Sequence, residues 1–566
     1  MGNQGPVRGL SPWSEAEPWP DDCDRLLIVG PPGTGKTTAV LRHYVWPALE
    51  DRQSVLATSF TVAAAAELRK RTAEHMDTSP DDYLHSLSTI HSEASRRVRH
   101  LGLRFGQKEE KPEEEPDSIV TDWEAALERS AAADSRDALD AWNMTRARYP
   151  QDIGLPVRQR LARILSGQSL DLAEMVVRRY CDGQCDDDGE IVAPDFTGLL
   201  ELALTQGSPG TLGLLAIDEA QDLCALHWAL VDRWAAGAER LLIVGDPDQA
   251  IYGWAGADGS RLLRWIRDGR PARYLAQSYR VPRKAHAMAR SVIRQVQDRE
   301  DAPYAPAPRD GQIVMCDGPD AIAEIGESAG SVLALARTKS GCSAIVDALI
   351  DADVPHMAER GTLLLRTRKG QPTNLLRAVR ALEAITAGGR VQGPDLRRLV
   401  DALDAKGPGF TRPRVKTAAV TAIKGRTGRV DPSEIDGLAH GALADAWAAF
   451  DYEWMLRATL AASFDAGRAI IIGGWVREFG ARLEEVAERV AVTTVHGSKG
   501  RQAGLVVLDA RIGWRRAWSH RGSNAERDED RRAMYVALTR TMDRLVIARG
   551  NDRNDWLTQQ GIGHVG

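Results

Sequence analysis

The sequence predicts an α/β fold with two blocks built on parallel sheets, each carrying a largely helical insertion. Three observations carry this expectation. A glycine-rich loop lies between an apolar run and a helical pattern near the start of the chain. Short apolar runs ending in acidic or polar residues recur in two regions, residues 212–249 and 492–547. Two long stretches, residues 93–210 and 361–488, show mostly helical patterning and interrupt the α/β rhythm.

The loop is Gly30-Pro31-Pro32-Gly33-Thr34-Gly35-Lys36-Thr37, which meets G-x-x-x-x-G-K-[ST] at every required position. Leu26, Leu27, Ile28 and Val29 precede it as a buried strand, and residues 38–49, starting at Thr38, have the apolar spacing of a helix. This is the strand–loop–helix context of a phosphate-binding loop. Its glycines let the backbone curl so that N–H groups point at phosphates. Lys36 is expected to reach the β- and γ-phosphates and Thr37 to ligate Mg²⁺, with the helix N-terminus favouring the anion. The chain is therefore expected to bind a nucleoside triphosphate.

A length of 566 residues allows roughly three or four domains. Apolar residues make up 43% and charged residues 27%, the balance of a globular protein rather than a disordered one. No stretch approaches the ~20 apolar residues of a membrane span. Residues 1–20 lack a basic-then-apolar signal pattern, so a cytoplasmic location and no membrane partner are expected. Of six cysteines, Cys181 and Cys185 lie close together, but neither a second pair nor nearby histidines complete a tetrahedral site. That segment reads as an acidic loop. The net charge of −6 does not announce a nucleic-acid binder, but its distribution is uneven. Residues 108–140 hold twelve acidic against four basic side chains, which reads as a solvated face. Residues 359–431 hold sixteen basic against six acidic ones, an excess that invites a phosphate partner.

In order, the first block continues with a strand over 54–59, an alanine-rich helix over 62–71 and the turn Thr89-Ile90-His91-Ser92. The helical insertion follows, with Trp123, Trp142 and Tyr149 as packing anchors. A strand over 212–217 ends in Asp218-Glu219-Ala220-Gln221-Asp222, and one over 241–244 ends in Gly245-Asp246-Pro247-Asp248-Gln249. The carboxyl ends of parallel strands are where nucleotide sites form. The second block begins near Arg273, with strands over 312–315 and 332–336. After the basic insertion it resumes with strands over 492–495 and 505–508, a helix over 528–538 and a strand over 545–547. The expected division is thus 1–92 with 211–271, insertion 93–210, then 272–360 with 489–566, and insertion 361–488.

Asp218 is placed to hold Mg²⁺ and Glu219 to act as general base toward the attacking water. Gln249, at the end of the next strand, can contact the γ-phosphate or that water. Arg280 and Arg540, both in the second block, suit the spreading charge of a phosphoryl-transfer transition state because the guanidinium is planar and permanently charged. Phe60, Tyr252 and Trp254 flank polar turns after strands, where exposed aromatics stack on unpaired bases at ~1–3 kcal/mol each. Thr89, His91, Thr494 and His496 are candidates for phosphate contacts.

Taken in order, GPPGTGKT, SFTVAAAAEL, TIHS, LLAIDEAQD, VGDPDQAIYGWAGA, QSYR, VTTVHGSKG and YVALTRTMDRLVI resemble the UvrD/Rep/PcrA family of superfamily 1A DNA helicases, across residues 30–547. The resemblance implies two RecA-like lobes with ATP between them and single-stranded DNA across their tops. It implies an ATPase site of Lys36, Thr37, Asp218, Glu219, Gln249, Arg280 and Arg540, with Tyr279 stacking on the base. Phe60, His91, Tyr252, Trp254 and His496 would line the DNA track. The implied cofactors are ATP and Mg²⁺, and the implied partners are single-stranded DNA, its junctions with duplex, and a repair or replication protein. Movement would run 3′ to 5′. The chain departs from the family at several points. No Leu-Asn-x-x-Gln segment precedes Gly30, and Arg501-Gln502 stands where Leu-Glu is usual, so an amide replaces the ribose-binding carboxylate. Ala255 and Val62-Ala63 replace polar residues. A translocase that does not unwind, and a P-loop switch that regulates a partner, are the two rival readings.

Overall fold

Two six-stranded sheets, in which every paired strand is parallel, organise the computed structural model of the chain. It describes residues 19, 23–59, 61–102, 132–182, 184, 194–208, 210–358, 373–412, 415–451, 454, 466–511, 524–550 and 555–559. The chain forms two compact units. The first is made of Met1–Arg280, Ile293–Pro308 and Asn524–Tyr535, and the second of Val281–Val292, Arg309–Ser523 and Val536–Gly566.

In the first unit the strands are β1 (Arg25–Val29), β2 (Val55–Ser59), β3 (Leu87–Thr89), β4 (Leu212–Ile217), β5 (Ala238–Gly245) and β6 (Ala272–Tyr274), ordered β3-β2-β4-β5-β1-β6. Alternate side chains leave opposite faces. Leu27, Val29, Leu215, Ile217, Leu241 and Ile243 enter one core, while Leu26, Ile28, Leu214, Ala216, Leu242 and Val244 enter the other. Burial on both faces is why these strands read as unbroken apolar runs. Their carboxyl ends bring Gly30, Asp218 and Asp246 to one edge of the sheet.

The helix expected over 38–49 is not continuous. Lys36–Val40 is α-helical, Leu41–Val45 forms a π-turn and Trp46–Glu50 returns to α. Periodicity does not reveal such a turn, because it widens the helix locally without breaking its apolar face. In the first insertion the helices Ala132–Arg148, Val157–Leu161 and Gly167–Asp182 enclose Ala138, Trp142, Leu161, Leu170, Ala173 and Val176. Trp142 is the buried anchor expected, Tyr149 is half-buried, and Trp123 lies outside the described residues. Cys181 belongs to the helix Gly167–Asp182 rather than to a loop, and Cys185 lies outside the described residues. Among the described residues no cluster of three or more metal-ligating side chains occurs. None of the described helices is long and apolar enough to cross a membrane.

The second unit carries β7 (Gln312–Cys316), β8 (Val332–Ala336), β9 (Met357–Ala358), β12 (Val490–Thr494), β13 (Ala503–Asp509) and β14 (Thr541–Ala548), ordered β7-β14-β13-β8-β12-β9. Its insertion holds helices Asn374–Thr386, Gly393–Ala402, Lys416–Ile423, His440–Ala448 and Ala466–Phe479, with a short antiparallel ladder of β10 (Val391–Gln392) and β11 (Arg429–Val430). Leu376, Val379, Trp447, Ile472 and Trp475 share one continuous core with Val332, Ala334, Val490 and Val492 of the sheet.

Two expectations change. The second block was expected from residue 272, but Ala272–Tyr274 pairs with β1 and completes the first sheet. A three-residue strand with an arginine at its centre has no apolar run to reveal it. Among the described residues, part of the basic excess over 359–431 is also offset in space. Arg380, Arg412 and Arg426 pair with Glu484, Asp436 and Glu434, all beyond that stretch, and Arg377 pairs with Asp395.

Candidate nucleotide site and nucleic-acid track

The phosphate loop closes on itself and on the residues after β6. Lys36 Nζ donates to the Gly30 carbonyl at 2.7 Å, and Thr34 Oγ1 to that of Pro31 at 2.8 Å. Gly33 has φ +76°, and a Cβ there would lie 2.5 Å from Arg280 Cβ and 2.7 Å from Ser278 Oγ. Only glycine permits both the conformation and the approach. The Tyr279 N–H donates to the Gly33 carbonyl at 2.8 Å, while Ser278 Oγ and the Tyr304 hydroxyl donate to that of Pro32 at 2.9 and 3.0 Å. Thr38 Oγ1 accepts from Arg71 Nη1 at 3.3 Å. Tyr279 is 67% exposed beside the loop.

Asp218, at the end of β4, is buried and accepts the Thr37 hydroxyl at 3.0 Å through Oδ2. Burial, and then the charge of Glu219, hold its carboxyl above the usual range, against the pull of Lys36 and Thr37. An incoming cation would relieve that cost. Two hard oxygen donors leave room for phosphate and water ligands, so the pair fits Mg²⁺. Glu219 adopts φ +55°, a left-handed conformation rare for a non-glycine residue. Its Oε2 accepts from Gln221 Nε2 at 2.5 Å, and Gln221 Oε1 accepts the Asp246 N–H at 2.9 Å. Gln249 Nε2 donates to Asp246 Oδ2 at 2.7 Å. Glu219 and Gln249, expected near each other from strand ends alone, are thus joined through Gln221 and Asp246.

Arg280 belongs to the first unit rather than to the second block, because β6 carries it back beside Gly33. Burial pulls its guanidinium below its ordinary value, opposed by Tyr304 and Glu219. Arg540 lies in the second unit, is 2% exposed, and donates from Nε to the Val536 carbonyl at 2.9 Å. Gln502 is exposed there, His496 is half-buried, and buried Thr494 accepts the Gly497 N–H at 3.1 Å.

The aromatic residues of the first unit fall into two groups. Trp254 is 61% exposed and half-buried Tyr252 lies 6.3 Å from it between ring centroids. The Trp254 N–H donates to Glu529 Oε1 at 3.3 Å. His91 lines a groove of about 850 Å³ together with Arg69, Arg96, Arg99 and Phe196. Thr89 is buried and caps the following helix, accepting the Ser92 N–H at 3.1 Å. Phe60 lies outside the described residues. The sequence alone does not single out Phe196. It is 78% exposed, 5.8 Å from the His91 ring, at the start of the helix Phe196–Thr205. The available signal was Asp195, whose carboxylate caps that helix at Gly198 N–H and so sets Phe196 in its first turn.

A family model described as an AAA domain matches residues 22–255, the part of the chain that holds the loop, Asp218, Glu219 and Gln249. The ATP-dependent DNA helicase PcrA of Staphylococcus epidermidis is 27% identical over 296 residues, which cover 49% of this chain and 38% of that protein. The DNA helicase II of Escherichia coli K12 is 28% identical over 296 residues, covering 47% of this chain and 38% of its own length. Over this region the chain is similar to PcrA and DNA helicase II. The matched region spans less than two fifths of either relative. A crystal structure of an arterivirus nonstructural protein 10 helicase aligns with 95% of this chain and 61% of its own, at 11% identity and a TM-score of 0.30, too loose a likeness to bear on fold or function.

Proposed function

We propose that the chain is an ATP- and Mg²⁺-dependent DNA helicase that moves 3′ to 5′ on single strands and separates duplex at single-strand junctions. The observation that carries this reading is the convergence of Lys36, Thr37, Asp218, Glu219, Gln249 and Arg280 in the unit that also presents Trp254, His91 and Phe196. The likeness to PcrA and DNA helicase II supports DNA as the polymer.

Lys36 leaves the Gly30 carbonyl to neutralise the β- and γ-phosphates of ATP. Thr37 and Asp218 hold Mg²⁺, which when bound neutralises charge on those phosphates. Glu219 accepts the proton of the attacking water, and Gln249 orients that water. Arg280 stabilises charge spreading onto the transferred group. Tyr279 offers the nucleobase an exposed ring, while Arg540 and Gln502 are assigned to the γ-phosphate and the ribose from the family pattern. Trp254, Tyr252, Phe196 and His91 form stacking rungs for unpaired bases, with Phe60, Thr89, Thr494 and His496 assigned to the strand on the same pattern. The two units are read as RecA-like lobes, with residues 93–210 and 361–488 as their insertions.

The test is ATP hydrolysis with and without single-stranded DNA or RNA, followed by unwinding of 3′- and 5′-tailed duplexes. Stimulation by DNA and opening of 3′-tailed substrates are expected. Hydrolysis indifferent to any strand would leave only an ATP switch, and movement without unwinding a bare translocase.

A further inference from the structure

The turn after β5, which carries Gln249, is gripped from a distant part of the chain. Arg299 belongs to the segment Ile293–Pro308 that returns to the first unit. Its side chain is 9% exposed and meets the Asp248 carboxylate, 10% exposed, through Nε to Oδ1 at 3.2 Å and Nη2 to Oδ2 at 2.7 Å. Its third nitrogen, Nη1, donates to Asp301 at 2.9 Å. The Asp248 N–H donates to Asp246 Oδ1 at 3.0 Å, so the gripped residue is tied to the carboxylate that also receives Gln249. From Asp246 the bonds continue through Gln221 to Glu219.

Arg299 is itself set on a fixed support. Three side chains of the helix Asn524–Leu538 bind the backbone just before it. Asp528 Oδ2 accepts the Gln297 N–H at 3.0 Å, Arg531 Nη1 donates to the Gln295 carbonyl at 2.7 Å, and Arg532 Nη2 donates to that of Asp298 at 2.8 Å. An arginine held this way presents its fork in one orientation, and a fork-to-carboxylate pair fixes the plane of its partner as well as its charge.

We infer that Arg299 is a positioning residue for nucleotide hydrolysis, acting through Asp248 to orient the turn that carries Gln249 and, beyond it, Gln221 and Glu219. This rests on the hydrolytic reading proposed above. Neutralising Asp248 is not enough for the role; its plane must be held. Lysine supplies the charge without the plane, so the two contributions can be separated.

The experiment uses the full chain with Arg299→Lys and with the double variant Asp248→Asn/Arg299→Met, measuring kcat and KM for ATP and the thermal midpoint. Displacements of about 1 Å in such supports cost on the order of a hundredfold in rate. Arg299→Lys is expected to lose at least about tenfold in kcat with KM nearly unchanged. The double variant leaves no unpaired buried charge, so it should melt near the parent while kcat stays low. Parental kcat in Arg299→Lys, or recovery of kcat together with stability in the double variant, would overturn the inference. A parent that hydrolyses no ATP would instead sink the hydrolytic reading itself, so the two failures are distinguishable.

Discussion

The Thr37 hydroxyl and the Asp218 carboxylate stand 181 residues apart in the chain and 3.0 Å apart in the structure. The contact joins the phosphate loop to the end of β4 and sets two oxygen donors side by side. It also divides two neighbouring carboxylates, since Asp218 pairs with Thr37 while Glu219 turns toward Gln221.

This division predicts opposite behaviour for two substitutions. Lys36→Ala should abolish turnover by weakening nucleotide binding. Glu219→Gln should keep ATP bound but lower kcat by roughly 10²–10⁴-fold, the usual range for a lost general base. Equilibrium binding of labelled ATP beside steady-state hydrolysis separates them. Parental turnover in Glu219→Gln would assign the base elsewhere.

Trp254 and Phe196 are exposed to an extent that packing does not explain, at 61% and 78%. Each ring removed should weaken single-stranded DNA by ~1–3 kcal/mol, roughly five- to more than a hundredfold in Kd. DNA-stimulated ATPase should fall more than the basal rate in Trp254→Ala and Phe196→Ala. Equal loss of both rates would assign the rings to structure.

His227 makes the first unit acid-sensitive. Burial, helped by the charge of nearby His91, pushes it down to about 3, and its Nδ1 accepts the Cys224 N–H at 3.4 Å. A depressed folded pKa means the stabilisation is complete above the unfolded value of about 6.5 and is lost as pH falls below it. Between pH 7.5 and 5 the loss should reach about 2 kcal/mol. Thermal midpoints measured across that range should flatten in His227→Gln, and an unchanged slope would assign the sensitivity to other groups.

Gly473 sets two effects against each other. Alanine normally gains up to about 1 kcal/mol over glycine inside a helix. Here a Cβ would lie 2.2 Å from Trp447 Cζ2, and that indole is fully buried and held by Glu383 at 2.5 Å. The clash should win, and Gly473→Ala should destabilise the second unit by roughly 1–3 kcal/mol in denaturant unfolding. A gain in stability would mean that Trp447 can move.

Much of the first unit was legible because its central strands are buried on both faces and end in chemistry. The β4 segment Leu212–Ile217 is legible from its apolar run and the Asp218-Glu219 turn that ends it. What escaped was local or distant. β6 has no apolar run, and the π-turn at Leu41–Val45 leaves the helical period intact. Phe196 looks like one more apolar residue of an apolar helix until Asp195 fixes its place. Arg299 carried no signal at all, because its importance lies in Asp248, and no spacing connects residues 248 and 299. The residue type of Arg280 suits a phosphate, but its place in the first unit is hidden, because that boundary depends on a strand too short to see.

The first unit is assembled from three separated pieces of chain, and this sets an order in time. Trp254 leaves the ribosome long before Glu529, which follows it by 275 residues. At ~5–20 residues per second, synthesis of that interval takes on the order of tens of seconds. During this time the phosphate loop and the Asp218 strand can already be folded, while Glu529 and the helix side chains that set Arg299 do not yet exist. A nascent chain stalled before residue 524 should therefore bind nucleotide without coupling it to a strand. On the proposed reading, coupling would begin only once residues 524–535 had joined the first unit.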